Sequence, residues 1–266
     1  CVWNDRAVAN EKDVMKMNPV YPGMLTFAER CWRGGGYAGW TATIGEPETE
    51  RATAFAEFEN RLLDQKQQYF KGLDFPYVKQ ADLVWDIYGP YENKGNLSKV
   101  FAPESIKFNA LKEKPKYKAT GGTLVMKHWW APLISGVVEQ PQENTTWYAQ
   151  TQIWSDEDKQ REFWIGFNNL SRSMSTDSPN AGTWNNLKSQ VWVNNELVSP
   201  PLWKHPNQKG NLEIPLIDEG YEFREPTLIS LKKGWNTVKV KLPVASFKGQ
   251  NWTNPVKWMF TFVEVK

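Results

Sequence analysis

Cysteine and histidine are scarce in this 266-residue chain, two of each. One possible Cys1–Cys31 pair is no disulfide framework, so the redox compartment stays open. His128 and His205 lie far apart in sequence with no further ligand at zinc spacing, and no metal site is expected. Net charge is nearly absent, with 32 basic against 30 acidic residues, which argues against a nucleic-acid partner. No apolar run approaches the roughly 18–20 residues of a membrane-spanning helix. There is no G-x-S-x-G elbow and no glycine-rich phosphate loop after a strand, so no cofactor is expected.

What the chain has in excess is tryptophan, fifteen residues, twelve of them after position 80. Aromatics fill the interfaces of β-sheets, and an indole face can also stack on the C–H face of a sugar ring. Trp184, Trp203, Trp252 and Trp130 are the candidates for exposed sugar platforms, the first two because they fall in loop-like stretches. In the Trp129-Trp130 pair, read as part of a strand, alternation would bury one indole and expose the other.

The chain has two halves with different patterns. Residues 1–72 read as α/β, with an apolar, strand-like segment at Met24–Ala28, a Gly34-Gly35-Gly36 turn and a helix over Glu48–Phe70. Phe55, Phe58, Leu62 and Tyr69 share one face of that helix, acidic residues crowd its start, and Gly72 stops it. One strand-like segment and one helix are too little for a domain and read as the last piece of a larger α/β fold.

Residues 73–266 lose helical periodicity. An irregular, turn-rich lead-in at 73–115 carries one strand candidate, Asp82–Tyr88. Short strand candidates then recur at Thr123–Trp130, Thr146–Trp154, Glu162–Asn168, Gln190–Val193, Thr227–Leu231, Asn236–Leu242 and Val256–Val265, the spacing of an antiparallel β-sandwich, jelly-roll-like. Val238, Val240 and Leu242 face one way and Lys239 and Lys241 the other. Asn194-Asn195 marks a tight turn, while Ser171–Asn186 and Pro200–Gly210 read as surface loops.

Glycoside hydrolysis usually needs two carboxyl groups, one held protonated. The adjacent pairs Asp156-Glu157 and Asp218-Glu219 fall in a polar hairpin tip and a loop, without an apolar wall to raise a pKa. No residue of this chain is therefore expected to be catalytic.

Two runs carry a family resemblance. Val2-Trp3-Asn4-Asp5, followed by Tyr21-Pro22-Gly23-Met24-Leu25-Thr26-Phe27-Ala28-Glu29-Arg30-Cys31-Trp32, resembles the end of the catalytic barrel of family 20 glycoside hydrolases, the β-N-acetylhexosaminidases. Phe55-Ala56-Glu57-Phe58-Glu59-Asn60-Arg61-Leu62 and Phe75-Pro76-Tyr77 look like bacterial members with an extra C-terminal β domain. The resemblance implies that 1–72 is the last strand and helix of a (β/α)8 barrel and 73–266 an accessory sandwich. It implies that Trp3 walls a pocket for a terminal N-acetylhexosamine while Asp5 accepts hydrogen bonds from its outer hydroxyls. Here the acid is the shorter Asp. Glu29, Arg30 and Trp32 would be structural, with an Arg–carboxylate pair near the barrel end. The family's catalytic Asp-Glu pair sits in a His-x-Gly-x-Asp-Glu context that this chain lacks, so the pair is expected upstream of Cys1 and the fragment alone is expected to be inactive. The implied partners are N-acetylhexosamine-containing glycans and the upstream barrel, and the implied location is outside the cytoplasm of a bacterium. The alternative is a stand-alone carbohydrate-binding module using exposed tryptophans.

Overall fold

The computed structural model describes residues 14–40, 42–105, 111–167, 177–210, 217–218, 224–249 and 256–265. Trp3, Asp5 and Trp252 lie outside the described residues. The helical part holds α1 (Val14–Met17), α2 (Val20–Arg33) and α3 (Glu50–Tyr69). Strand β1 (Val84–Glu92) follows, then the short α4 (Ala102–Ser105). The remaining strands are β2 (Tyr117–Thr120), β3 (Thr123–Lys127), β4 (Thr145–Ser155), β5 (Lys159–Gly166), β6 (Gln190–Val193), β7 (Glu196–Leu197), β8 (Thr227–Leu231), β9 (Gly234–Val244) and β10 (Trp258–Glu264).

The strand-like segment expected at Met24–Ala28 is instead the middle of α2. Pro22 fits there because the first turn has no intrahelical use for its missing N–H. The helix stops at Gly34, the first of three successive glycines with positive φ. Glu29 of α2 accepts from Arg61 of α3 at 3.0 and 2.5 Å and so ties the two helices together. α3 forms as its periodicity predicts: Thr49 caps it by accepting from the Ala52 amide, and Ala52, Phe55, Glu59 and Leu62 line its buried face.

The strands form a mainly antiparallel β-sandwich. One sheet has six strands in the order β2-β1-β4-β9-β6-β7, the other four in the order β3-β10-β5-β8. Trp85, Trp147, Val238, Val240 and Leu242 from the first meet Phe163, Trp258, Phe260 and Phe262 from the second in one core. Trp85 stands edge-on to Phe260 with centroids 4.8 Å apart. Trp85, Trp147, Trp184 and Trp258 thus serve as mortar between the sheets.

Two connecting segments dock α3 on the sandwich. In the first, Ile44 packs on Ala52 and Phe55, Ala42 on Val125 and Met259, and the Gly45 carbonyl accepts from the Thr120 amide at 2.9 Å. In the second, buried Glu59 accepts from the Tyr77 hydroxyl (2.6 Å) and from the amides of Gln80 (2.6 Å) and Ala81 (3.0 Å). Burial pushes the Glu59 carboxyl above its ordinary range despite these three donors.

Candidate functional site: a groove with paired tryptophans

β4 and β9 form the longest ladder, running in register from Thr145↔Val244 to Ser155↔Gly234. Alternation sends Trp147, Ala149 and Val240 inward, and Tyr148, Gln150, Lys239 and Lys241 to the other face. At the far end of that outer face the register places Trp154 directly opposite Trp235. The two rings meet edge-on at 5.4 Å and 72°, yet remain 50% and 64% exposed. Trp154 also donates Nε1–H to Asp156 at 2.7 Å, which orients its indole.

The pair stands at the rim of a groove of about 590 Å3. One wall is the flank of α3, with Leu63, Lys66 and Gln67; the other is made by the ends of β4, β5, β9 and β10. The segment from Tyr77 to Leu83 borders both. Its charges are mostly paired: Arg161 with Glu264 at 3.0 Å and Lys79 with Asp82 at 2.7 Å. Lys66 donates to the Tyr77 carbonyl at 2.7 Å, and burial lowers its pKa. Flat apolar surface beside fixed polar groups suits a hydroxylated ring.

The expected platforms fare differently. Trp184 is only 4% exposed, packs on Phe167 and donates to the Val198 carbonyl at 3.1 Å. It is a core residue, because its loop folds onto the sandwich. Trp203 is half-buried, donates to the Thr183 carbonyl at 2.8 Å and has the Arg224 guanidinium over its ring at 5.5 Å. β3 ends at Lys127, so Trp129 and Trp130 sit in a turn and strand alternation does not govern them. Trp130 is 63% exposed, whereas Trp129 stacks on His128 at 4.0 Å. The sequence placed Trp154 at the end of one strand candidate and Trp235 just before another, but their pairing is set by register alone.

His128, Asp218 and Glu157 make structural contacts. His128 Nδ1 accepts from the Trp130 amide at 3.0 Å, and burial, with Lys127 adding to it, lowers its pKa. Asp218 is a buried anchor, accepting from the amides of Lys204 (2.8 Å) and His205 (2.7 Å). Glu157 pairs with Lys159 at 3.4 Å at the β4–β5 tip. Among the described residues no cluster of His, Cys, Asp and Glu could hold a metal ion, and no helix is long and apolar enough to cross a membrane.

No family model and no curated protein matches the chain. Among solved structures it is similar to a β-glucosidase from Kluyveromyces marxianus in complex with glucose, at 14% identity over 69% of this chain and 15% of that one, with a TM-score of 0.25. It is also similar to a Podospora anserina GH26-CBM35 β-(1,4)-mannanase, at 12% identity over 47% of this chain and 20% of that one, with a TM-score of 0.21. Both neighbours are glycoside hydrolases, and the chain spans a fifth of their length or less.

Proposed function

We propose that this chain is the C-terminal part of a glycoside hydrolase, a β-N-acetylhexosaminidase, and that its sandwich binds the glycan on which the enzyme acts. The observation that carries the binding role is the exposed Trp154–Trp235 pair at the rim of a groove edged by fixed polar groups. The hexosaminidase reading rests on the Trp3-Asn4-Asp5 and Ala28-Glu29-Arg30-Cys31-Trp32 runs, and the Glu29–Arg61 contact fits the structural role that it implies for Glu29. In this reading Trp3 and Asp5 border the sugar pocket, and the acid–base chemistry belongs to an Asp-Glu pair outside these residues. The same reading carries export from a bacterial cytoplasm with it.

A second reading makes the sandwich a rigid support for the helical part. The Glu59 clamp and the Ile44–Phe55 cluster favour it, since both hold α3 against the segments that connect it to the sandwich. Titration with chito-oligosaccharides, followed by tryptophan fluorescence, separates the two. A saturable change that Trp154→Ala and Trp235→Ala weaken supports binding. A flat response leaves the scaffold. Release of p-nitrophenol from its N-acetylglucosaminide by this chain alone would overturn the placement of the catalytic pair elsewhere.

A further inference from the structure

The outer face of the six-stranded sheet is polar, yet much of it is buried. Lys241 is 1% exposed, and Lys239, Tyr148 and Gln150 beside it are buried too. A strap from Asn93 to Ser105 crosses this face. It is pinned at its start by the Asn93 side chain, whose Nδ2 donates to Thr146 Oγ1 and the Val244 carbonyl, both at 3.2 Å. It is pinned at its end by Lys241, which donates to the Lys99 carbonyl at 2.8 Å, and by Lys239, which donates to the Pro103 carbonyl.

Near the end of the strap stands Glu104. Its Oε1 meets the Lys241 ammonium at 2.8 Å, accepts from the Tyr148 hydroxyl, and accepts from the Phe101 amide at 3.3 Å. All three contacts fall on one oxygen. Oε2 keeps its acceptor capacity on a carboxylate that can hardly rotate. Glu104 also walls a cleft of about 310 Å3 between the strap and the loops around β6 and β7, with Trp192 and Gln190 of β6 also lining it. Trp192 is half-buried, and the Gln190 side chain makes no hydrogen bond among the described residues.

We infer that this cleft is a second saccharide site, taking one neutral sugar unit whose ring lies against Trp192 and whose hydroxyls donate to Glu104. It is separate from the Trp154–Trp235 groove and shares no lining residue with it. An aromatic surface meets the apolar face of a pyranose, and an ionised acceptor makes short, strong hydrogen bonds to hydroxyls. A carboxylate fixed in advance loses little freedom on binding. The volume is at the small end of ligand pockets, which run from about 300 to 1,000 Å3.

The test is an NMR titration of the whole chain with N-acetylglucosamine, glucose and galactose. The readout is the Trp192 indole N–H, assigned with Trp192→Phe. At least one neutral sugar should shift it saturably at ~10 mM or below, an affinity range typical of a single small contact set. Gln190→Ala and Glu104→Gln should each weaken that binding about tenfold, and Trp154→Ala should leave it unchanged. If Glu104→Gln disturbs the strap, Gln190→Ala carries the test on its own. No saturable shift with any neutral sugar would overturn the assignment. So would loss of the shift in Trp154→Ala, which would return the signal to the groove.

Discussion

Lys241, almost wholly buried in β9, holds its ammonium 2.8 Å from the carboxylate of Glu104, a residue of the strap that crosses the same sheet. Removing one partner strands the other charge away from water. Glu104→Ala should therefore cost about 3–5 kcal/mol, the usual penalty for breaking a buried pair from one side. Lys241→Met should cost less, because Glu104 keeps the Tyr148 hydroxyl and the Phe101 amide as donors. Urea unfolding midpoints measure both. A Glu104→Ala loss below about 1 kcal/mol would show that the pair is solvated in practice.

In the groove, Trp154→Ala and Trp235→Ala should each weaken chito-oligosaccharide binding about tenfold, which is about 1.4 kcal/mol. Thermal stability should barely move, since both indoles are at least half exposed. Trp154→Phe should retain more binding than Trp154→Ala. Calorimetric titration together with a melting curve reads both quantities, and a large drop in melting temperature without a drop in affinity would assign the pair to the fold.

His128 makes stability depend on pH. Its folded pKa is lowered, chiefly by burial, so the unfolded chain takes up the proton first as pH falls. The stabilisation is complete above the ordinary histidine value of about 6.5 and is lost as pH drops from there towards the lower folded value. Protonating Nδ1 would also break its bond from the Trp130 amide. Unfolding midpoints at about pH 7.5 and about pH 5 should differ more for the natural chain than for His128→Asn. Equal differences in the two proteins would remove His128 from the account.

Two glycines should respond in opposite directions to alanine. A Cβ on Gly136 would lie 2.6 Å from the carbonyl oxygens of Met126 and Val125, both backbone atoms that cannot swing away. Gly136→Ala should cost about 1–3 kcal/mol as overpacking. Gly23, inside α2, has nothing within 4 Å of such a Cβ. Gly23→Ala should gain about 0.5–1 kcal/mol from helix propensity. Denaturant titrations of the two variants side by side check both signs.

Much of the architecture was legible in residue periodicity. α3 showed its buried face at Phe55 and Leu62, and β9 showed its core side at Val238, Val240 and Leu242. α2 was not legible, because its apolar residues Met24, Phe27 and Trp32 are exposed and the segment between Pro22 and the glycines is short. Trp184 was misread for a related reason. Trp184 stood in a Ser/Asn/Gly-rich stretch that reads as surface, whereas Trp154 and Trp235 stood in strand candidates or beside them.

The order of residues by itself determined which backbone conformation each segment prefers and which side of each strand is apolar, because both depend on neighbours a few positions away. Only the tertiary structure decided the rest. It put a strap over Lys239 and Lys241, turned Glu59 and Asp218 into buried anchors, and brought Trp154 opposite Trp235. Burial and pairing are properties of what arrives from elsewhere in the chain: Glu104 reaches Lys241 from far back in the sequence, and no local pattern around either residue records the other.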